Sequence, residues 1–138
     1  MSTPSATPLF RPVGLIELRL IAELGFRAFP PRLPEQPIFY PVLSRAYAAQ
    51  IADEWNTKDE ASGFAGFVTR FDVDADYLKP FDVQVVGSSA HEELWIPAEE
   101  LQAFNEHIRG AIEVIDSFYG TRFAGRIDAA TRLPVEIL

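Results

Sequence analysis

Two side chains that move protons and one that stacks stand close together in "HEELWIP", residues 91–97. Along a strand, His91, Glu93 and Trp95 fall on one face and Glu92, Leu94 and Ile96 on the other. With Leu94 and Ile96 in a core, His91 and Glu93 share the outward face. A carboxylate and an imidazole so placed suit acid–base or transition-state work. The same pattern describes two solvated charges on an open sheet face, since exposed charge is the rule. Arg11, in "LFRPVG", is a second candidate. A guanidinium held at a strand edge clamps a phosphate or carboxylate with two parallel hydrogen bonds. An internal salt bridge to one of the chain's twenty acids is the other reading. Phe39 and Tyr40, in "IFYP", form an aromatic pair at a strand end, suited either to stacking on a planar ring or to the core.

The remaining reactive types carry less. His107 sits near the end of a helix, where the dipole or plain solvation accounts for it. The loop after Asp53, Glu54 and Trp55 reads as a binding loop or a solvated linker. Ser62, Ser88 and Ser89 lack both a nucleophile elbow and a His–Asp partner. With no cysteine, a disulfide framework, a thiolate zinc site and a cysteine nucleophile are excluded. Two histidines exclude a three-histidine metal site, so no metal is expected.

The elements that must position these residues follow from pattern. "LFRPVG" reads as a first strand and "LIELRLIAEL" as a helix stopped by Gly25. Four prolines between Pro30 and Pro37 make a stiff extended loop. "IFYPVL" is a strand. Ser44 caps a second helix with a stripe of Tyr47, Ala48, Ile51, Ala52 and Trp55. "FVTRFDV" alternates, with Phe67, Thr69, Phe71 and Val73 on the core face. "DADYL" suits one helical turn, and "FDVQVV" alternates again. After "HEELWI", Pro97 opens a third helix carrying Leu101, Phe104 and Ile108. Gly110 ends it, and "AIEVI" is the last strand. Consecutive strands mixed with about three helices argue an α+β fold with a mostly antiparallel sheet. No glycine-rich loop leads from strand to helix, so no dinucleotide fingerprint or P-loop is present.

The chain has 138 residues, 48% hydrophobic and 12% aromatic, which suits one globular domain with a real core. We expect a disordered N-terminal tail over 1–8, a single α+β domain over 9–118 and a C-terminal extension over 119–138. The formal charge of −8 disfavours nucleic acid as a partner. No apolar run approaches the roughly 18 residues that suggest a membrane span. "MSTPSATP" lacks the basic-then-apolar pattern of a secretion signal, so cytoplasmic residence is the default.

Taken together, "LFRPVG", "FRAFPPRLPEQPIFYPVL", "IADEWNTKDEASGF", "VTRFDV", "YLKPF", "VQVVG" and "HEELWIPAEEL" resemble a group of small bacterial proteins. These carry the label ADP-ribosylation/crystallin J-type, and the likeness runs over roughly residues 8–118. More distantly, the order of elements is similar to that of ADP-ribosyltransferase-fold domains, which set three marks on a split sheet around an NAD cleft. The resemblance implies Arg11 on the opening strand, holding an NAD phosphate or ribose. It implies Phe39 or Tyr40 packing on the nicotinamide. It implies Glu93 on a late strand, stabilising the transition state, with His91 facing the acceptor. Arginine-modifying members carry Glu or Gln where His91 stands, which speaks against arginine as acceptor. The middle mark also departs from the family: there is neither a Ser-Thr-Ser run nor a clean tyrosine–helix signature.

The expectation is thus an NAD-dependent ADP-ribosyltransferase-like protein, or an NAD hydrolase, acting on NAD or a related nucleotide. The alternative is a non-catalytic partner-binding or regulatory module on the same fold, immunity- or antitoxin-like. There the acidic surface, the proline loop and Trp95 would meet a basic protein partner. A small-molecule binder or hydrolase using His91 and Glu93 with a borrowed metal is a third reading, to which two histidines lend little support.

Overall fold

The computed structural model describes residues 5–137. Of the tail expected over 1–8, residues 1–4 lie outside the described residues, and Ala6 onward already belongs to the first strand. The fold is α+β with antiparallel pairing throughout. Strand β1 (Ala6–Gly14) pairs with β3 (Ala65–Asp74), and β3 pairs with β7 (Ile108–Tyr119). Two short antiparallel pairs accompany this three-stranded sheet: β2 (Ile38–Phe39) with β6 (Ile96–Pro97), and β4 (Val83–Val85) with β5 (Glu92–Leu94). Val42 links the β4–β5 pair to β1, bridging Phe10 of β1 on one side and Glu93 of β5 on the other.

Helix α1 (Leu15–Glu23) continues directly from β1 and buries Leu15, Leu18 and Ile21. It ends where the N–H groups of Gly25 and Phe26 bond back to the carbonyls of Ala22 and Ile21, a Schellman-type closure. Helix α2 (Arg45–Glu54) is capped as its sequence requires, with the Ser44 hydroxyl accepting from the Tyr47 N–H at 3.1 Å. A four-residue helix α3 (Ala75–Leu78) follows β3, and α4 (Leu101–Glu106) follows β6.

The sheet is covered on both faces. On one, Phe67, Phe71 and Val73 of β3 join Leu9 and Val13 of β1, the buried side of α1, Leu101 and Phe104 of α4, and Phe29 and Phe39. The rings of Phe29, Phe39, Phe71 and Phe104 meet at centroid separations between 4.8 and 6.1 Å, mostly edge to face. On the other face α2 lays Ala48 and Ala52 over Val42 and Val68. Gly66 lets the helix this close: a Cβ there would stand 2.3 Å from the Ala52 carbonyl oxygen.

Two local expectations differ from this arrangement. Gly110 does not end a helix; it lies inside β7 with φ +71°, at the register shift between the Arg70–Glu113 and Asp72–Arg109 pairs. The extra residues of a bulge need such a left-handed position, and Ile108 therefore belongs to a strand. Pro97 stays extended and paired with Ile38, so the following helix opens with a tight turn over Ala98–Glu100. The stretch from 119 onward packs back on the domain: Phe123, Leu133 and Ile137 lie against the main core, and Arg19 of α1 pairs with Glu136 at 3.0 Å. No helix among the described residues is long and apolar enough to cross a membrane.

Candidate functional site

Phe10 and Val42 exchange both backbone hydrogen bonds, at 2.9 and 2.7 Å. Beside that bridge lies a cleft of about 890 Å³, walled by the end of β1, the start of α1, the proline loop, Tyr40, the turn after α2, Glu93 and Trp95. Its volume lies in the range of small-molecule and nucleotide sites. Seven of the exposed large hydrophobic side chains line it: Ile16, Leu20, Leu33, Tyr40, Trp55, Val86 and Trp95. Exposed apolar surface gathered in one concavity marks a place where something binds.

Arg11, Tyr40 and Glu93 all wall this cleft. Arg11 is buried, and it is also a salt-bridged residue. Its Nε and Nη2 donate to the two carboxylate oxygens of Glu17 at 2.7 and 2.8 Å, and Nη1 donates to the Tyr40 carbonyl at 3.2 Å. The guanidinium lies over the Phe39 ring, 4.6 Å from its centroid. Arg11 thus lines the cleft and forms the internal salt bridge, so its charge is already matched.

The aromatic pair divides. Successive residues of a strand point to opposite faces, so only one of the two reaches the cleft. Phe39 is the buried one, packed against Phe29 and Phe104, and it supports Arg11 instead of contacting a ligand. Tyr40 is exposed, its ring edge-on to Trp95 with centroids 6.4 Å apart.

Leu94 and Ile96 do enter the core, and Glu93 takes the opposite face. Its carboxylate is held at both oxygens. The Tyr47 hydroxyl donates to Oε2 at 2.9 Å and the Trp95 indole N–H to Oε1 at 2.8 Å. Burial first, then the hydrogen bond to Glu93 and the carboxylate's charge, push the Tyr47 hydroxyl up to about 12. Tyr47 therefore remains a donor across the neutral range. His91 shares Glu93's face but not the cleft wall. Its ring stacks on Tyr47 at 4.4 Å between centroids, and Nε2 lies 3.2 Å from the Gln50 side-chain oxygen. It backs Tyr47.

Several cleft residues carried no distinctive sequence signal. Arg32, half-buried in the proline loop, donates its Nε to the Ile38 carbonyl at 3.2 Å. Burial and then the charge of Arg11 pull its pKa down, against the opposing pull of Glu17 and Tyr40. Trp55, read as part of a buried stripe, is 59% exposed at the cleft rim, because α2 stops at Glu54 and the chain turns there. Beyond it Asn56 donates to Ser62 Oγ at 2.9 Å, and Ser62 donates to Asp59 at 2.6 Å. The Asn56 side-chain amide oxygen, Oδ1, is a buried acceptor without a donor among the described residues. Tyr47 sat in the helical stripe, where period alone cannot tell a core ring from one that holds a carboxylate.

Among the described residues no group of three or more His, Asp or Glu side chains is placed to hold a metal ion. No protein-family model matches the chain, and no curated protein matches it. What the cleft does must come from the residues that wall it.

Proposed function

We propose that this chain is an ADP-ribosyltransferase-like protein that takes NAD as substrate, transferring ADP-ribose to an acceptor or to water. It would then belong with the small bacterial proteins that its sequence resembles. The observation that supports this reading is convergence: Arg11, Tyr40 and Glu93, widely separated in sequence, wall one cleft. The cleft's volume and its mixture of aromatic faces, arginine and a fixed carboxylate suit a nucleotide.

NAD supplies an ADP-ribosyl group joined to a good leaving group. The chain's part is positional and electrostatic. Glu93, held by Tyr47 and Trp95, keeps lone pairs free on both oxygens to accept from a sugar hydroxyl. Its fixed negative charge favours the positive charge that grows on the sugar carbon as the C–N bond breaks. Tyr40 and Trp95 offer ring surfaces beside it, and Arg11 stiffens the wall through Glu17 and the Tyr40 carbonyl.

Calorimetric titration of NAD into wild type and Glu93→Gln tests this, with released nicotinamide measured in parallel. Saturable binding by both, with nicotinamide released only by wild type, is the expected result. No heat up to millimolar NAD overturns it. One observation favours a second reading as a partner-binding module: both tryptophans stand exposed at the rim, Trp55 at 59% and Trp95 at 43%. In that case a basic peptide, not NAD, gives the heat.

A further inference from the structure

The Arg11 end of the cleft holds more positive charge than the protein balances. Glu17 is paired with Arg11 through both carboxylate oxygens. Arg32 lines the same cleft as Arg11 and Glu17. Arg32 itself forms no ion pair with a carboxylate among the described residues, and its Nε–H, directed to the Ile38 carbonyl, is its one hydrogen bond there. Other arginines without a carboxylate partner, such as Arg27 and Arg126, are exposed, so water satisfies them. Arg32 is half-buried in the wall of an apolar cleft, where water does so less well.

Its setting is also stiff. Pro30 and Pro31 precede it and Pro34 follows, each fixing φ, so little backbone freedom remains to be lost when the guanidinium takes a ligand. We propose that Arg32, and not Arg11, is the anion-binding residue of this cleft, and that the group it takes is a phosphate of a nucleotide. The planar guanidinium fork matches two phosphate oxygens. Tyr40 and Trp95, in the same wall, provide ring surfaces that a nucleotide uses and a bare anion does not. The ligand class rests on the nucleotide reading above; the need for an anion rests on the arginines themselves.

The test is calorimetry with ADP, adenosine and inorganic pyrophosphate on wild type and Arg32→Gln, with circular dichroism confirming that both are folded. ADP binds wild type, and Arg32→Gln weakens it about 10- to 100-fold, the loss of a charge-assisted pair. Adenosine, which has no phosphate, binds both alike. If Arg32→Gln does not fold, Arg32→Lys keeps the charge but loses the fork, and ADP affinity must still fall. Unchanged ADP affinity in the folded variant, or no binding of ADP or pyrophosphate by wild type, overturns the proposal. Turnover of NAD with its affinity untouched by Arg32→Gln would sink Arg32 and leave the NAD reading standing. Arg32-dependent ADP binding without any NAD binding would do the reverse.

Discussion

Removing the Tyr47 hydroxyl probes how firmly the cleft carboxylate is held. In Tyr47→Phe, Glu93 Oε2 loses its 2.9 Å donor, while the ring stays able to stack on His91. A hydrogen bond to a charged group is worth about 1.5–3 kcal/mol, and less where water can replace the donor. Glu93 is only half-buried, so we expect a loss of about 1 kcal/mol near neutral pH. The pH dependence supplies a second, independent figure. Tyr47 is lifted from its ordinary value of 10.0 to about 12, so the folded protein holds this proton more tightly than the unfolded chain. That contribution is complete below pH 10 and disappears as pH rises toward 12. Two pH units correspond to about 2.7 kcal/mol, which exposure of the ring and screening reduce to on the order of 1 kcal/mol. Urea denaturation of both proteins at about pH 8 and about pH 11 reads this directly. The stability gap should be near 1 kcal/mol at the lower pH and should fall to roughly half of that at the higher one, on its way to closing above about pH 12. Tyr77 and Tyr119 are also raised, mainly by burial, but they are common to both proteins and cancel in the difference. A gap that is constant with pH, or a variant as stable as wild type at neutral pH, would refute the account of how Glu93 is held.

Two further outcomes follow from the framework around the cleft. Gly66→Ala puts a methyl group against the Ala52 carbonyl, a backbone atom that cannot turn aside. It should cost about 3 kcal/mol or more, the top of the range for overpacking, and a thermal melt like that of wild type would contradict the close seat of α2 on β3. Arg11→Met leaves Glu17 largely buried without its partner and should cost about 3 kcal/mol, the lower edge for breaking a buried pair because Glu17 keeps some exposure. The double variant Arg11→Met, Glu17→Leu should recover part of that loss in chemical denaturation; additive losses would mean the pair is not coupled.

The sequence by itself determined what depends on neighbours a few residues away. Ser44 marked the start of α2 because a cap is made with the third residue along. Alternation placed Phe67, Phe71 and Val73 inward, and the same period put Glu93 opposite Leu94 and Ile96, because a strand's faces repeat every second residue. The α+β class and antiparallel pairing followed from the order of these elements. Tertiary structure decided the rest. Gly110 reads as a helix stop until β7 is laid against β3 and a bulge is needed there. Phe39 and Tyr40 look alike until the core claims one and the cleft the other. Trp55 fits a buried stripe by period, but the helix turns out before reaching it. Arg32 is one arginine among ten in the sequence; only the fold brings it into the same cleft wall as Arg11, which is already paired with Glu17. Charge balance and the walls of a cleft are sums over residues distant in the chain, and no local pattern contains them.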